Sequence, residues 1–406
     1  MVFASLTKEE LLNITKGFKV LSKHSDKSKS GIATHMKFLT TIYYYPSAPT
    51  GIDAFLDVMI TNLDIEISRA MRMTLPAVSS SVVNSVNTKI FFECLIPMTV
   101  IDFAKSLPND TDVIEFTSLS GDWTSFTVSS GASIVKFNGV DPIYFPKKNS
   151  KSLIKTLDIP PDSLYNLLRG VTHVSVPAEK ATKTFCSGIN IKGDHGHNML
   201  IFTATDSYRV AETSMSHPIN ADFEFTIPHE TALILSEIVK NESSMISVHH
   251  AAGMVSFTTP DTEFIASLLA TSFPDCQKFM VINSKYNLEF NNQEFIASVK
   301  QMRIFSKEER CIMEVKPNQI NLEIKDDVIP MVVNEVHNAV LLDSTGVSKD
   351  SFSTAFVTSF VLNHLERLSP ESSPYWSFQD GDTPSILVGE MDEDITSRYL
   401  VVPLKP

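Results

Sequence analysis

The sequence predicts an α+β protein made of three tandem repeats, each with two helices packed on antiparallel sheets. The first observation is a helix-like motif that recurs: IPMTVIDFAKSL at 96–107, IPHETALILSEI at 227–238 and VTSFVLNHLERL at 357–368, 131 and 130 residues apart. The second is another helical segment upstream of each copy, centred on Leu11, Leu164 and Phe295 and spaced 153 and 131. The third is the alternation of apolar and polar residues between the helices, the period-two signature of a half-buried strand.

The first upstream helix, TKEELLNITKGFKVL, opens on Thr7 with Glu10 three residues on, a capping box in which each side chain serves the other's backbone N–H. The run FLDVMITNLDIEISRAM then predicts an antiparallel meander with one wet face. IFFECL leads as a strand into the second helix, where Val100, Phe103, Ala104 and Leu107 recur at helical spacing. A polar turn, PNDTD, precedes the alternating VIEFTSL. The second repeat follows the same order. PPDSLYNLLRGV carries Pro161, suited to a first helical turn, DFEFT leads into 227–238, and NESS precedes MISVHHA. In the third, NQEFIASVKQMRIF takes Asn291 or Asn292 as its cap, FSTAF leads into 357–368, and PESS precedes YWSFQDG. The predicted domains are 1–150, 151–283 and 284–406. The first carries about 22 surplus residues, assigned to the loops KHSDKSKSG, YYYPSAPTG and PAVSSSVVNSVN.

Composition narrows the function classes. At 406 residues with 43% hydrophobic and 20% charged residues, the chain has the makeup of a globular protein. Neither a membrane-spanning run nor a secretory leader is expected. Cys94, Cys186, Cys276 and Cys311 are scattered, with no CxxC pair, which disfavours a zinc ribbon or a disulfide scaffold and fits a reducing cytoplasm. No GxGxxG or GxxxxGK[ST] occurs, so a nucleotide cofactor is not expected. The net charge of −13, from 34 basic and 47 acidic residues, argues at first against a nucleic-acid partner.

Three segments carry a resemblance: TATDSYRVAE at 203–212, SFPDCQKFM at 272–280 and the C-terminal RYLVVPLKP at 398–406. In this order, on a 130-residue triplication, they resemble the bacterial DNA polymerase III β subunit, the β sliding clamp family. That family carries an ATDGHRLA-type segment, a GxFPDY-type segment and a YVVMPM-type tail. Here Ser207 and Tyr208 replace the usual Gly-His, Cys276 replaces the usual Tyr, and the tail ends in VVPLKP.

The resemblance implies a head-to-tail dimeric ring of DNA-clamp repeats. Such a ring encircles double-stranded DNA without sequence preference and tethers the replicative polymerase. It is a non-catalytic accessory subunit with no cofactor of its own. The implied partners are an ATP-driven clamp loader and repair polymerases or ligase, which dock by short linear motifs. For their pocket the resemblance supplies Thr205, Ser207, Tyr208, Arg209, Val210, Pro274, Phe279, Leu400, Val402, Pro403 and Leu404, with Ser385 and Cys186 added. Apolar walls would take Leu or Phe anchors, and a few polar groups would fix register. For the dimer contact it suggests the strand ASIVKFNG, with Val135 and Phe137, against the helix end RIFSKEER, with Ile304 and Phe305.

The family's helices line the bore, which offers a resolution of the charge. Segments 4–30, 161–184 and 292–310 sum to +5, leaving −18 for the remainder. The expected DNA-facing residues are Lys16, Lys23, Lys27, Lys29, Lys105, Arg169, Lys180, Lys183, Lys240, Lys300, Arg303 and Arg367. Contacts to phosphates without base readout suit sliding. Two rival readings stand beside this one. One is a metal-dependent hydrolase built on Asp194, His195 and His197 with His249 and His250, since His-x-His on a strand shares a face. The other is a β-rich peptide-binding adaptor that binds no DNA.

Overall fold

The computed structural model of the chain describes residues 2–16, 18–19, 21, 35–44, 52–73, 89–119, 123–146, 153–240, 242–305, 309–316, 319–326, 331–341 and 351–404. One order of elements runs three times. The first run is β1 (Val2–Thr7), α1 (Lys8–Ile14), β2 (His35–Tyr44), β3 (Ile52–Thr61), β4 (Ile65–Met73), β5 (Lys89–Pro97), α2 (Thr99–Ser106), β6 (Val113–Ser118), β7 (Ser125–Ser130) and β8 (Ser133–Asn138). The second is β9 (Ile154–Ile159), α3 (Pro161–Thr172), β10 (Gly188–Asp194), β11 (Met199–Thr205), β12 (Arg209–Ser216), β13 (Phe223–Pro228), α4 (His229–Val239), β14 (Ile246–Ala251), β15 (Met254–Thr258) and β16 (Thr262–Ser267). The third is β17 (Tyr286–Phe290), α5 (Asn292–Phe305), β18 (Arg310–Lys316), β19 (Gln319–Asp326), β20 (Met331–Leu341), β21 (Phe352–Val357), α6 (Thr358–Leu365), β22 (Tyr375–Phe378), β23 (Ser385–Asp392) and β24 (Ile395–Val401). No described helix is long and apolar enough to cross a membrane.

The helix starts follow from local chemistry. Thr7 and Glu10 form the reciprocal capping box, and Pro161 occupies the first turn of α3. At α5 it is Asn291 whose Oδ1 accepts from Glu294 N at 3.0 Å, while Asn292 is buried and donates to Leu365 O. The first helix is shorter than the sequence pattern suggests. Regular α-helix is interrupted after Ile14, next to Thr15, whose hydroxyl bonds back to Leu11 O at 2.7 Å, and helical residues recur at Phe18, Lys19 and Leu21. Two successive β-branched residues at that point are poor continuers.

The chain falls into two compact units, Met1–Asp158 with Asn241–Ser267, and Ile159–Lys240 with Leu268–Pro406. In the first unit β1-β6-β7-β8 form a four-stranded sheet, with β8 as an edge. The other sheet runs β5-β2-β3-β4-β16-β15-β14-β9. Its middle seam joins two repeats, with Arg69 opposite Thr262 and Ile65 opposite Ala266. Phe3, Phe38, Phe92 and Phe116 cluster in the core, the Phe3 and Phe92 rings stacking at 4.2 Å. In the second unit twelve strands run β13-β10-β11-β12-β24-β23-β22-β17-β20-β19-β18-β21. Here β12 pairs antiparallel with β24, Arg209 opposite Val401 and Met215 opposite Ile395. The α3 residues Leu164, Leu167, Leu168 and Val171 are buried, each worth roughly 1.5–3 kcal/mol against exposure. The close approach of α3 to β12 depends on Gly170, because a Cβ there would lie 2.3 Å from Thr213 Cγ2. The Thr213 hydroxyl uses that closeness to donate to Leu167 O at 2.8 Å.

Candidate functional site

The second unit holds a cavity of about 610 Å³ built from five segments: the stretch 183–185, the turn between β11 and β12, the stretch 274–283, the connection between β22 and β23, and the end of β24. The turn is held by its own side chains. The Asp206 carboxylate accepts from Tyr208 N and Arg209 N, each at 3.0 Å, and pairs with Arg209 Nε at 2.7 Å. Thr205 Oγ1 accepts from Ser207 N at 3.1 Å and donates to Arg209 O at 2.9 Å. The guanidinium of Arg209 lies 3.9 Å over the Phe360 ring and donates to His173 O at 3.3 Å. Asp206 and Arg209 are thus consumed in ordering the turn. Val402 N donates to Tyr208 O at 3.2 Å, which brings the chain leaving β24 alongside.

Val210, Cys276, Met280, Ile386 and Leu400 form one buried cluster, with Phe273, Ile282 and Val388 packed against it. Val210, Cys276, Ile282 and Leu400 of this group face the cavity. Tyr208, Phe279, Val281 and Val402 stand exposed around it. Burial pushes the Cys276 thiol up to about 12, with the Glu212 carboxylate adding to the effect, so Cys276 serves as an apolar lining atom. The stretch that carries Cys276 and Phe279 is anchored by a buried acid. Glu212 accepts from Gln277 Nε2 and, at 3.4 Å, from Arg398 Nη1, while Arg398 Nη2 donates to Met280 O. Burial raises the Glu212 pKa, against the pull of Arg398.

Of the expected pocket residues, Thr205, Ser207, Tyr208, Arg209, Val210, Pro274, Phe279, Leu400 and Val402 line the cavity. Four do not. Ser385 sits in β23 and accepts the indole N–H of the buried Trp376 at 3.0 Å. Cys186 is buried behind the turn, its Sγ 3.5 Å from Ser207 Oγ. Leu404 N donates to Ala355 O at 2.7 Å, which carries Pro403 and Leu404 past the cavity. The sequence reading missed Phe185, Cys276, Lys278, Val281, Ile282, Asn283, Gln379, Thr383 and Pro384. The signal for Cys276 and Lys278 lies inside the SFPDCQKFM segment, beside Pro274 and Phe279.

The residues expected to face DNA are placed unevenly. Lys23, Lys27 and Lys29 lie outside the described residues. Lys105, Lys180 and Lys240 are exposed, and Lys16 is half-buried. Arg169 donates to Glu366 O at 3.1 Å, and Arg367 Nε donates to Arg169 O at 3.1 Å. Lys300 pairs with Glu366 at 2.8 Å and Arg303 with Glu309 at 2.6 Å. Lys183 lines the cavity and lies 5.6 Å from the Phe185 ring centre, so it belongs with the cavity and not with a helix face.

At the expected dimer contact, Val135 is exposed on the edge strand β8, and Phe137 stacks on Phe126 at 5.4 Å. Ile304 is 78% exposed on α5, and the side chain of Phe305 lies outside the described residues. Three of the four histidines of the hydrolase reading have partners nearby. His195 N donates to Asp222 and its ring meets Ile219 O, His197 pairs with Asp194 at 3.0 Å, and the His250 ring lies 2.7 Å from Thr156 Oγ1. Among the described residues no group of three or more His, Cys, Asp or Glu is placed to hold a metal ion.

Behind the turn lies a buried aromatic stack. His364 and Tyr399 are parallel at 4.3 Å, and His173 lies 5.4 Å from His364. Neither ring nitrogen of His173 finds a hydrogen-bond partner among the described residues. Burial drives both histidine pKa values down, that of His364 to about 3, and the nearby Arg209 and Arg367 charges push the same way.

Residues 158–275 match the sequence model of the DNA polymerase III β subunit, central domain. The β sliding clamp of Staphylococcus aureus is 23% identical over 354 residues, 86% of this chain and 89% of that protein. The β sliding clamp of Bacillus subtilis is 23% identical over 280 residues, 68% of this chain and 71% of that protein. In fold, the DNA polymerase sliding clamp of Pseudomonas aeruginosa aligns over 100% of both chains with a TM-score of 0.78 at 14% identity. The DNA polymerase III β subunit of Thermotoga maritima does the same at 0.78 and 17%. Threefold repeat, cavity segments and these likenesses agree: residues 158–275 match the central domain of the DNA polymerase III β subunit, and the whole chain has the sliding-clamp fold.

Proposed function

We propose that this chain is a DNA polymerase processivity factor, a homodimeric ring that encircles duplex DNA and carries its partners by short peptides seated in the cavity. The observation that supports this most is the cavity itself: an apolar floor of Val210, Ile282 and Leu400 in a chain that folds as a clamp. Its size suits one or two large apolar side chains of a linear motif. Each repeat is read as one clamp domain, 1–150, 151–283 and 284–406, and two copies supply the six domains of a ring. The replicative polymerase, repair polymerases or ligase would compete for the same cavity, and an ATP-driven loader in the cytoplasm would open the ring.

Lys16, Lys105, Lys180, Lys240, Arg169 and Arg367, with the lysines of 23–29, are the proposed DNA-facing charges. Contacts to phosphates alone would hold the duplex without sequence preference. The ring needs no chemistry of its own, because topology replaces affinity. Retention on DNA tests the proposal. Protein loaded onto nicked circular DNA should stay bound through gel filtration and be lost when the circle is cut once. Equal loss from circular and linear DNA would overturn it.

A further inference from the structure

The chain as a whole carries a charge of −13, yet the cavity lining holds three cations, Lys183, Arg209 and Lys278, and no carboxylate among the described residues. The three cations are not equivalent. Arg209 is only 8% exposed and is neutralised by Asp206 at 2.7 Å. Lys278 meets Asp275 at 3.2 Å, but both side chains are more than half exposed, so water weakens that pair and an incoming carboxylate can share the ammonium. Lys183 is exposed at the start of the turn Thr184–Ser187, and its ammonium rests against the Phe185 ring at 5.6 Å. Phe185 in turn packs edge-on to Phe273, which borders the apolar floor.

Resting on the peptide reading of the cavity, we infer that its preferred occupant is an acidic linear motif: a large apolar anchor flanked by Asp or Glu side chains that reach Lys183 and Lys278. The two lysines stand on separate segments, 183–185 and 274–283, each of which contributes further lining residues to the cavity. A chain terminus offers a single carboxylate and would serve one lysine; internal Asp or Glu residues on both sides of the anchor serve both. Opposite charge at the rim raises the encounter rate and selects among motifs that share an anchor. A basic flank meets the same two ammonium groups at the cost of like-charge repulsion.

Three fluorescein-labelled, C-terminally amidated decapeptides test this with the full-length dimer. Each carries one Leu-Phe anchor pair, flanked on both sides by Asp, Ser or Lys. Amidation removes the terminal carboxylate as a source of charge. Fluorescence anisotropy at low salt should rank them Asp, Ser, Lys, with about fivefold between neighbours, and the spread should shrink in 0.5 M salt. Lys183→Glu with Lys278→Glu, both on exposed turns, should reverse the order to Lys, Ser, Asp. If the three peptides bind wild type equally, the charge selection is wrong while the peptide reading stands. If none binds, both fall. If only a free C-terminal carboxylate restores discrimination, the occupant is a chain terminus and the inference is overturned.

Discussion

Ser207 has φ +81, in the left-handed region that favours glycine. Its turn is held there by the Asp206 and Thr205 bonds to the backbone of residues 207–209. A side chain in this region is strained, and glycine would not be. Ser207→Gly should raise the urea midpoint of the second unit by the equivalent of about 1 kcal/mol without weakening peptide binding. An unchanged midpoint would mean the turn is unstrained. The buried Glu212 offers a second residue-scale test. It orders the stretch bearing Phe279 through Gln277 and Arg398. Glu212→Ala leaves the Arg398 guanidinium without its carboxylate and should cost about 3 kcal/mol, with loss of peptide affinity. A stable variant with full affinity would show that residues 273–280 hold their place without it.

At the scale of elements, the end of β24 divides the tail's role. Val402 lines the cavity, whereas Leu404 is not among its lining residues and its backbone N–H donates to Ala355 O. Deleting 402–406 should weaken binding of a polymerase-derived peptide at least about tenfold by calorimetry, while Leu404→Ala should stay within about twofold. Equal losses would put Leu404 back in the pocket. Packing of α3, α6 and β24 sets the response to acid. His364 is buried and His173 half-buried with its ring nitrogens covered, among Arg209, Arg367 and Tyr399, so their folded pKa values lie below the unfolded 6.5. Below that pH the unfolded chain takes up protons that the folded chain refuses. Stability is therefore full above about pH 6.5 and falls by about 1.4 kcal/mol per pH unit per histidine, for His364 until about pH 3. Melts from pH 8 to 4 should show this slope, and His364→Phe, which keeps a ring on Tyr399, should reduce it; an identical slope would exonerate the histidine. Much of this element layout was legible in the sequence, because capping residues and period-two strands are local signals: Thr7, Glu10, Pro161 and the runs around β6, β14 and β22 are read within a few residues. The cavity was legible where a quoted motif carried it, as at Thr205–Val210. It was not legible at Gln379, Thr383 and Pro384, which reach it because β22 pairs with distant β17 and β24, beside β23, pairs with distant β12. The misplacement of Ser385 has the same cause, since nothing near it in sequence announces Trp376 as its partner.

At the scale of the whole molecule, β8 is an edge strand that pairs with none other than β7 among the described residues, with Ile134 65% exposed and Val135 37% exposed. Exposed apolar edge strands invite a partner, which suits a head-to-tail dimer between this strand and the face bearing Ile304. Ile304→Ala with Phe305→Ala should yield monomers in light scattering at micromolar concentration, each truncation costing roughly 2 kcal/mol or more. A persistent dimer would locate the contact elsewhere. The sheet seams carry a further consequence. The middle repeat gives its β16 edge to β4 and its β12 edge to β24, so its two halves lie in different compact units. An excised middle repeat would therefore carry two raw, sticky borders, and a chain in which it was swapped for a stranger's copy would have to match both neighbours at once. Although the protein looks assembled from interchangeable thirds, it can be inherited only as a whole.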